Sequence, residues 1–367
     1  MNMESQMQRQ ITGTAKTLPD CGRRSVLLGA TALAAVVAMP AIRASTQAAK
    51  LTSFRSTSKS WLWAPEDFAV AKGFFKAEGV DVNIVATERA PNIDALLSRS
   101  ADIVLTPPDQ ALRVQAKKQP VKLIAGIVNK YASHVVVKQA ILRERGVSQA
   151  SPIAQRIAAL KGLKLATTGA GGAPDSLFKY LFAVYGFNTE TDVELVPVRG
   201  GGAAMLAALK QGAIDGFALS SPTSDVAVRD LGAKYLIDMS TAPPPFFDDF
   251  LYIAVATTDR VIDERGNELA AYYRGLKKSL QVIAEQPEEY KSWSRKFFSQ
   301  LDPLLFERAY DNNSKIYMKD PRLSPEQLAK IIEFMNKASQ GSSDDRIPAS
   351  FTFQDWADTQ FSDGSAK

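Results

Sequence analysis

Two stretches of this chain read alike. Residues 96–109 run Leu-Leu-Ser-Arg-Ser-Ala-Asp-Ile-Val-Leu-Thr-Pro-Pro-Asp, and residues 209–225 run Leu-Lys-Gln-Gly-Ala-Ile-Asp-Gly-Phe-Ala-Leu-Ser-Ser-Pro-Thr-Ser-Asp. In each, a helical pattern ends, an Asp (Asp102, Asp215) opens a short apolar strand, and the strand runs into a hydroxyl-Pro corner. A helix-Asp-strand connection is common, so one copy would say little. Two copies predict two similar lobes, each delivering hydroxyls at the carboxyl end of a strand: Thr106 in one, Ser220 and Ser221 in the other. Ligands of open α/β sheets bind beyond those ends, so two such ends facing each other would form a cleft.

The rest of the chain alternates in the same way. Runs with β-branched or alternating character predict strands at 51–54, 80–85, 103–105, 121–128, 134–137, 163–167, 193–198, 216–219 and 250–256. Helical spacing predicts helices at 65–76, 93–97, 109–117, 152–160, 174–185 and 203–210 between them. From residue 268 onward the pattern is nearly all helix, at 268–285, 287–298 and 324–339. The last has Ser324 as cap, Pro325 in the first turn and Gln327 to close a capping box. βαβ alternation with a helical tail gives an α/β class with largely parallel sheets. The segment 340–367 reads as a loosely attached tail in which Phe351, Phe353 and Trp356 dock on the first lobe.

Among its 367 residues the chain has one Cys, Cys21, and one His, His134. A structural zinc site needs about four such ligands, and a disulfide needs two Cys, so neither is expected. A nucleophile-base pair would have to recruit His134, whose place in a β-branched run favours a structural role. No metal and no cofactor is expected. Arg23-Arg24, an uncharged run over 25–42 and Ala44 before Ser45 read as an export signal, residues 1–44, cleaved near Ala44. The paired arginines resemble a twin-arginine signal, although Gly22 stands where Ser or Thr is usual, so Sec export stays open. A retained membrane anchor is the other reading of the run. Cleavage would leave 323 residues without Cys and with a net charge of about +2. Without a basic cluster interleaved with aromatics, nucleic acid is not an expected partner.

Residues 64–82, and within them Ala69-Val70-Ala71-Lys72-Gly73-Phe74-Phe75-Lys76-Ala77-Glu78-Gly79-Val80-Asp81-Val82, resemble the opening of solute-binding proteins of the nitrate/sulfonate/taurine type. Leu160-Lys161-Gly162-Leu163-Lys164-Leu165-Ala166 is similar to the start of that family's second lobe, and residues 202–216 to its A-L-x-x-G-x-I-D element. The resemblance covers roughly 50–300. It implies a type II periplasmic-binding-protein fold, with two mixed sheets flanked by helices and a ligand cleft between lobes. It also implies a periplasmic protein that hands its solute to an ABC importer permease. The chain should cross between lobes twice, giving lobe 1 as 45–135 plus 252–367 and lobe 2 as 136–251. A monomer is expected.

Within that frame the residues suggest a site. Thr167-Thr168-Gly169-Ala170-Gly171-Gly172-Ala173-Pro174 follows a strand and opens a helix, so Thr168 and the N–H groups around Gly169, Gly171 and Gly172 are candidates for an anion. The segment matches neither the dinucleotide fingerprint nor a P-loop. Arg199 begins a second glycine-rich turn and either meets solute or lies in solvent. Lys59, Ser60, Trp61 and Trp63 lie in the loop after the first strand, where one indole is expected to touch solute and the other to pack. Phe247, after three prolines, either walls the cleft mouth or braces the hinge. With Thr106, Ser220 and Ser221 this set suits capture of a small, organic anion: a sulfonate, a carboxylate or an aromatic acid. An enzyme on the same scaffold, of the pyrimidine-precursor or menaquinone type, and a sensor that touches a membrane receptor are the competing readings.

Overall fold

The structure, a computed structural model, describes residues 48–86, 92–339 and 347–363. These belong to one compact unit, Gln47–Lys367. The expected export signal lies outside the described residues.

The strands are β1 (Ala49–Arg55), β2 (Val80–Ala86), β3 (Ile103–Thr106), β4 (Val121–Val128), β5 (His134–Lys138), β6 (Lys164–Thr167), β7 (Glu194–Pro197), β8 (Gly216–Leu219), β9 (Ala233–Ile237) and β10 (Ile253–Thr258). Between them run the helices α1 (Ala64–Ala71), α2 (Phe74–Ala77), α3 (Asn92–Leu97), α4 (Pro108–Gln115), α5 (Gln139–Glu144), α6 (Ile153–Ala158), α7 (Ala173–Val184), α8 (Gly201–Gln211) and α9 (Thr223–Asp230). After β10 come α10 (Asp259–Glu285), α11 (Pro287–Phe297), α12 (Pro303–Asn313), α13 (Pro325–Ala338), α14 (Phe353–Trp356) and α15 (Gln360–Asp363).

Two five-stranded mixed sheets result, in the orders β2-β1-β3-β10-β4 and β7-β6-β8-β5-β9. In each, three strands run parallel and the fourth in the order is antiparallel to both its neighbours. That fourth strand enters from the other half: β5 follows β4, and β10 follows β9. The chain therefore passes between the sheets twice.

The two echoing aspartates do the same work in the two sheets. Asp102 N–H donates to Thr52 O at 2.9 Å, and Asp102 Oδ2 accepts from Thr52 N at 2.7 Å. Asp215 N–H donates to Lys164 O at 2.8 Å, and Asp215 Oδ2 accepts from Lys164 N at 2.9 Å. Each carboxylate also meets a cation, Arg265 at 2.9 Å and Lys138 at 3.8 Å. The sequence echo is thus a repeated clasp that ties the third parallel strand of each sheet to the first.

One expected element changes, and some elements had no expectation. The helix expected at 65–76 is broken by Gly73, whose φ of 72° ends α1 and begins α2. β9 is an edge strand of only five residues, short and interrupted by the exposed Lys234, so its signal was weak. α9 and α12 were not read, because polar residues break their apolar spacing. The capping box at α13 forms as expected, with Ser324 Oγ accepting from Gln327 N and Gln327 Oε1 from Ser324 N. The described tail docks on β4 and α4: Trp356 is fully buried, its carbonyl accepts from Gln115 Nε2 at 2.8 Å, and Ala357 bridges Leu123.

Candidate functional site

Parallel pairing places the carboxyl ends of β1, β2 and β3 on one edge of the first sheet, and those of β6, β7 and β8 on one edge of the second. The first edge carries the loop with Lys59, Ser60, Trp61 and Trp63, and Thr106. The second carries Thr168, Arg199, Ser220 and Ser221. The edges approach each other: Tyr131, just after β4, donates through its hydroxyl to Ala173 O at the start of α7 at 2.6 Å. The loop after β2, residues 87–91, lies outside the described residues.

On the first edge the expected solute contacts turn inward. Trp61 is fully buried and stacks on Phe298, with ring centroids 4.2 Å apart. Trp63 is 3% exposed, and its Nε1–H donates to Thr57 Oγ1 at 2.9 Å. Both indoles pack, rather than one. Lys59 is exposed, but its Nζ donates to Phe297 O at 2.9 Å. Ser60 Oγ accepts from Leu62 N, and Thr106 Oγ1 donates to Gln110 Oε1 at 3.1 Å. The loop lies between β1 and the aromatic helices α11 and α12, so its side chains pack inward, although the buried Nε1–H of Trp61 has no hydrogen-bond partner among the described residues.

The second edge is more open. Thr168 is exposed and Ser220 half-buried. In the glycine turn, however, the N–H groups are largely used. Gly169 N donates to Thr167 Oγ1, Gly171 N to Asp175 Oδ2 at 2.9 Å, and Gly172 N to Gly169 O. A buried carboxylate, Asp175, so occupies the place an anion would take at α7, and Lys179 pairs with it at 3.0 Å. The start of α8 differs. No side chain caps it, and its first turn holds no acidic residue. Arg199 beside it is exposed and bears no ion pair or hydrogen bond to any described residue. Gly202 lets α8 and α9 approach closely, since a Cβ there would meet Thr223 Oγ1 of α9 at 2.2 Å and the threonine would have to shift. Ser221 donates to the carboxylate of Asp225 and is 1% exposed.

Phe247 braces rather than walls. It is fully buried among Tyr131, Tyr180, Phe250 and Phe334, at the second passage between sheets. Sequence reading missed Asp109, which sits under this cluster at the start of α4 and is 5% exposed. Its Oδ2 has no hydrogen-bond partner among the described residues. It lines, with Pro107, Pro108, Tyr131, Tyr252 and Phe334, a cavity of about 10 Å³, room for no more than one water. Burial raises its carboxyl above the ordinary 3.8, against the opposing pull of Arg113, nearby backbone N–H groups and Ser176. The folded chain therefore holds this proton where the unfolded chain has lost it, and the carboxyl costs stability as pH rises from 3.8 through its folded value. The melting temperature of Asp109→Asn, measured from about pH 4 to 7, is expected to gain on wild type as pH rises and then level off. A constant difference would remove Asp109 as the source.

His134 is fully enclosed. Its Nδ1 lies 3.2 Å from Met239 N and from Asp238 Oδ1, and Nε2 lies 3.4 Å from Ser240 Oγ. Burial would raise the Asp238 carboxyl, but His134 and Thr241 outweigh that and hold it well below the carboxylate range. Among the described residues no group of His, Cys, Asp and Glu is arranged to hold a metal, and no helix is long and apolar enough to cross a membrane.

A family model described as NMT1/THI5 like matches residues 64–290. No curated protein sequence matches the chain. Among solved structures, a protein from Bordetella bronchiseptica RB50 is similar at TM-score 0.72 and 20% identity, over 86% of this chain and 96% of that one. The alkanesulfonate-binding protein SsuA from Xanthomonas axonopodis pv. citri, bound to MOPS, is similar at TM-score 0.63 and 15% identity, over 82% and 96%. The desulfurization enzyme DSZB is similar at TM-score 0.58 and 13% identity, over 86% and 98%. At these identities the likeness is one of fold, the two-sheet fold of periplasmic binding proteins.

Proposed function

The chain belongs to the NMT1/THI5-like family, and on that premise we propose that it is an exported, monomeric solute-binding protein that captures a small organic anion and delivers it to an ABC importer permease. Its lobes are 45–135 plus 252–367, and 136–251, and its export signal is 1–44. The observation that carries the reading is the second strand-end edge. There Arg199, without a partner among the described residues, stands beside the uncapped start of α8, and on the same edge the hydroxyls of Thr168 and Ser220 have no hydrogen-bond partner among the described residues. Bare N–H groups and the helix dipole favour an anion by about 0.3–1 kcal/mol, and a guanidinium supplies charge and two-point geometry for a sulfonate or carboxylate. Compared with the sequence-based expectation, the anion moves from the glycine turn of α7, where Asp175 stands, to the start of α8.

Fold alone does not separate capture from turnover, since a desulfurization enzyme shares it. The enclosed His134 favours capture, because the chain's one imidazole is fully buried in its lobe rather than exposed at either strand-end edge. Thermal-shift screening with aliphatic and aromatic sulfonates and carboxylates tests the reading. A ligand at about 100 times its Kd stabilises the fold by about 2.7 kcal/mol. Arg199→Ala is expected to weaken the responding anion about ten- to a hundredfold. A melt that shifts only with neutral or cationic compounds would refute the anion, and product formation by purified protein would refute capture.

A further inference from the structure

α12 does something the solute reading does not use. It is two-faced. Phe306 and Tyr310 lie with ring centroids 6.1 Å from Trp61, in the first sheet's aromatic cluster. Arg308 and Asn312, four residues apart and so on one stripe, reach the other half of the molecule. Asn312 Nδ2 donates to Asp225 Oδ1 at 3.2 Å, and the Arg308 guanidinium lies 5.2 Å from the Tyr235 ring centroid. Asp302 caps α12 through Oδ1, which accepts from Leu305 N at 3.0 Å, and its Oδ2 accepts from Arg229 Nη1 of α9. Arg229 is held in place by Asp230 through Nε and Nη2.

Asp225 is the hub of this contact. Fully buried, it accepts from Ser221 Oγ, from Tyr235 Oη at 2.5 Å and from Asn312. Burial and the Asp225 charge push the Tyr235 hydroxyl up, so it remains a donor. Ser221 adjoins Ser220 on the second strand-end edge, while Trp61 belongs to the first. A single helix thus touches both edges.

Two joints of different kind link the second sheet's half to the C-terminal helices. α7 meets α13 through rings: Tyr180 and Phe334 have centroids 5.1 Å apart, and Phe334 is 2% exposed. α9 meets α12 through charge and hydrogen bonds, with Arg229 38% and Asp302 48% exposed at the rim. Separating buried rings exposes apolar surface to water, whereas rim charges exchange a partner for water at little cost. We propose that α12 is a strap that holds the two halves closed through α9 and lets go first when they part, while the α7–α13 joint serves as pivot.

This rests on the two-lobed reading above, and the test is chosen to fail separately from the choice of solute. Cys21 is the chain's single cysteine. With Cys21→Ser, spin labels at Lys117→Cys and Lys210→Cys, both exposed and one in each half, report the separation in solute-free protein by pulsed electron resonance. Arg229→Gln, and Asp302→Asn, which keeps the helix cap, are each expected to raise the longer-distance population about two- to fivefold. Asn312→Ala should raise it about tenfold, and the Arg229→Gln, Asp302→Asn double variant no more than either single one. The rim variants leave the core untouched, so they keep the test decisive should Asn312→Ala misfold. Identical distance distributions in wild type, Arg229→Gln and Asp302→Asn would overturn the strap. MOPS in the same samples separates the two readings: open rim variants with a MOPS-insensitive wild-type melt support the strap while counting against a sulfonate solute.

Discussion

Replacing Trp61 with alanine lowers the unfolding free energy by about 3–5 kcal/mol, the usual cost of truncating a fully buried aromatic. Trp61 is 0% exposed and stacks on Phe298, with Phe306 and Tyr310 at its edges. Its carbonyl also accepts from Tyr317 Oη at 2.8 Å, which in turn meets Tyr290 Oη at 2.8 Å. Truncation leaves a cavity at the point where the loop after β1, α11 and α12 meet, and neighbouring rings refill it only in part. Trp61→Phe keeps most of the volume and is expected to cost far less. Urea unfolding of both variants checks this through the midpoint at constant slope. A stable Trp61→Ala protein that had lost its response to anions would return the indole to the solute-contacting role the sequence suggested.

The second large effect is expected at Glu66. This carboxylate is fully buried and accepts from Ser53 Oγ at 2.6 Å and from Tyr272 Oη at 2.9 Å, with Arg55 at 3.5 Å. Arg55, itself 3% exposed, holds Asp67 through both its terminal nitrogens, at 2.7 and 2.9 Å. The cluster joins β1, α1 and α10. Glu66→Ala strands two hydroxyls and strips Arg55 of part of its compensation, at about 3–5 kcal/mol. Glu66→Gln keeps the shape and an acceptor oxygen. Burial raises the Glu66 carboxyl above 4.5, more than Arg55 and the hydroxyls lower it, so its neutral isostere is well tolerated. Equal losses in the two variants, seen by calorimetry near neutral pH, would mean that the charge rather than the hydrogen bonds holds the cluster.

Much of the fold was legible because it rests on local signals. Helix and strand periods marked most elements, Ser324 and Gln327 announced a capped helix, and the matched Asp102 and Asp215 announced a repeat. That repeat holds in detail, since Asp102 grips the backbone of β1 and Asp215 that of β6, the first of the three parallel strands in each sheet. The site was less legible. Arg199 could be named as a candidate because an Arg before three glycines is a local pattern. Asp109, Asp225 and Asn312 were missed because their roles depend on partners far along the chain, Tyr131 and Phe334 for the first and one another for the other two.

What the sequence determined alone was the class of chain: two similar α/β halves, a helical tail, and strand-end corners rich in hydroxyl, Gly and Pro residues. What only the tertiary structure decided was which of those corner groups remain free. A Trp or a Gly-rich turn looks the same in sequence whether or not a neighbour has claimed it. Phe298 and Thr57 claim the indoles, Asp175 claims the α7 turn, and among the described residues no side chain caps the start of α8. Hydrogen bonds and ring contacts are set by distances of a few ångströms between residues that the chain separates widely, and those distances exist only once it has folded.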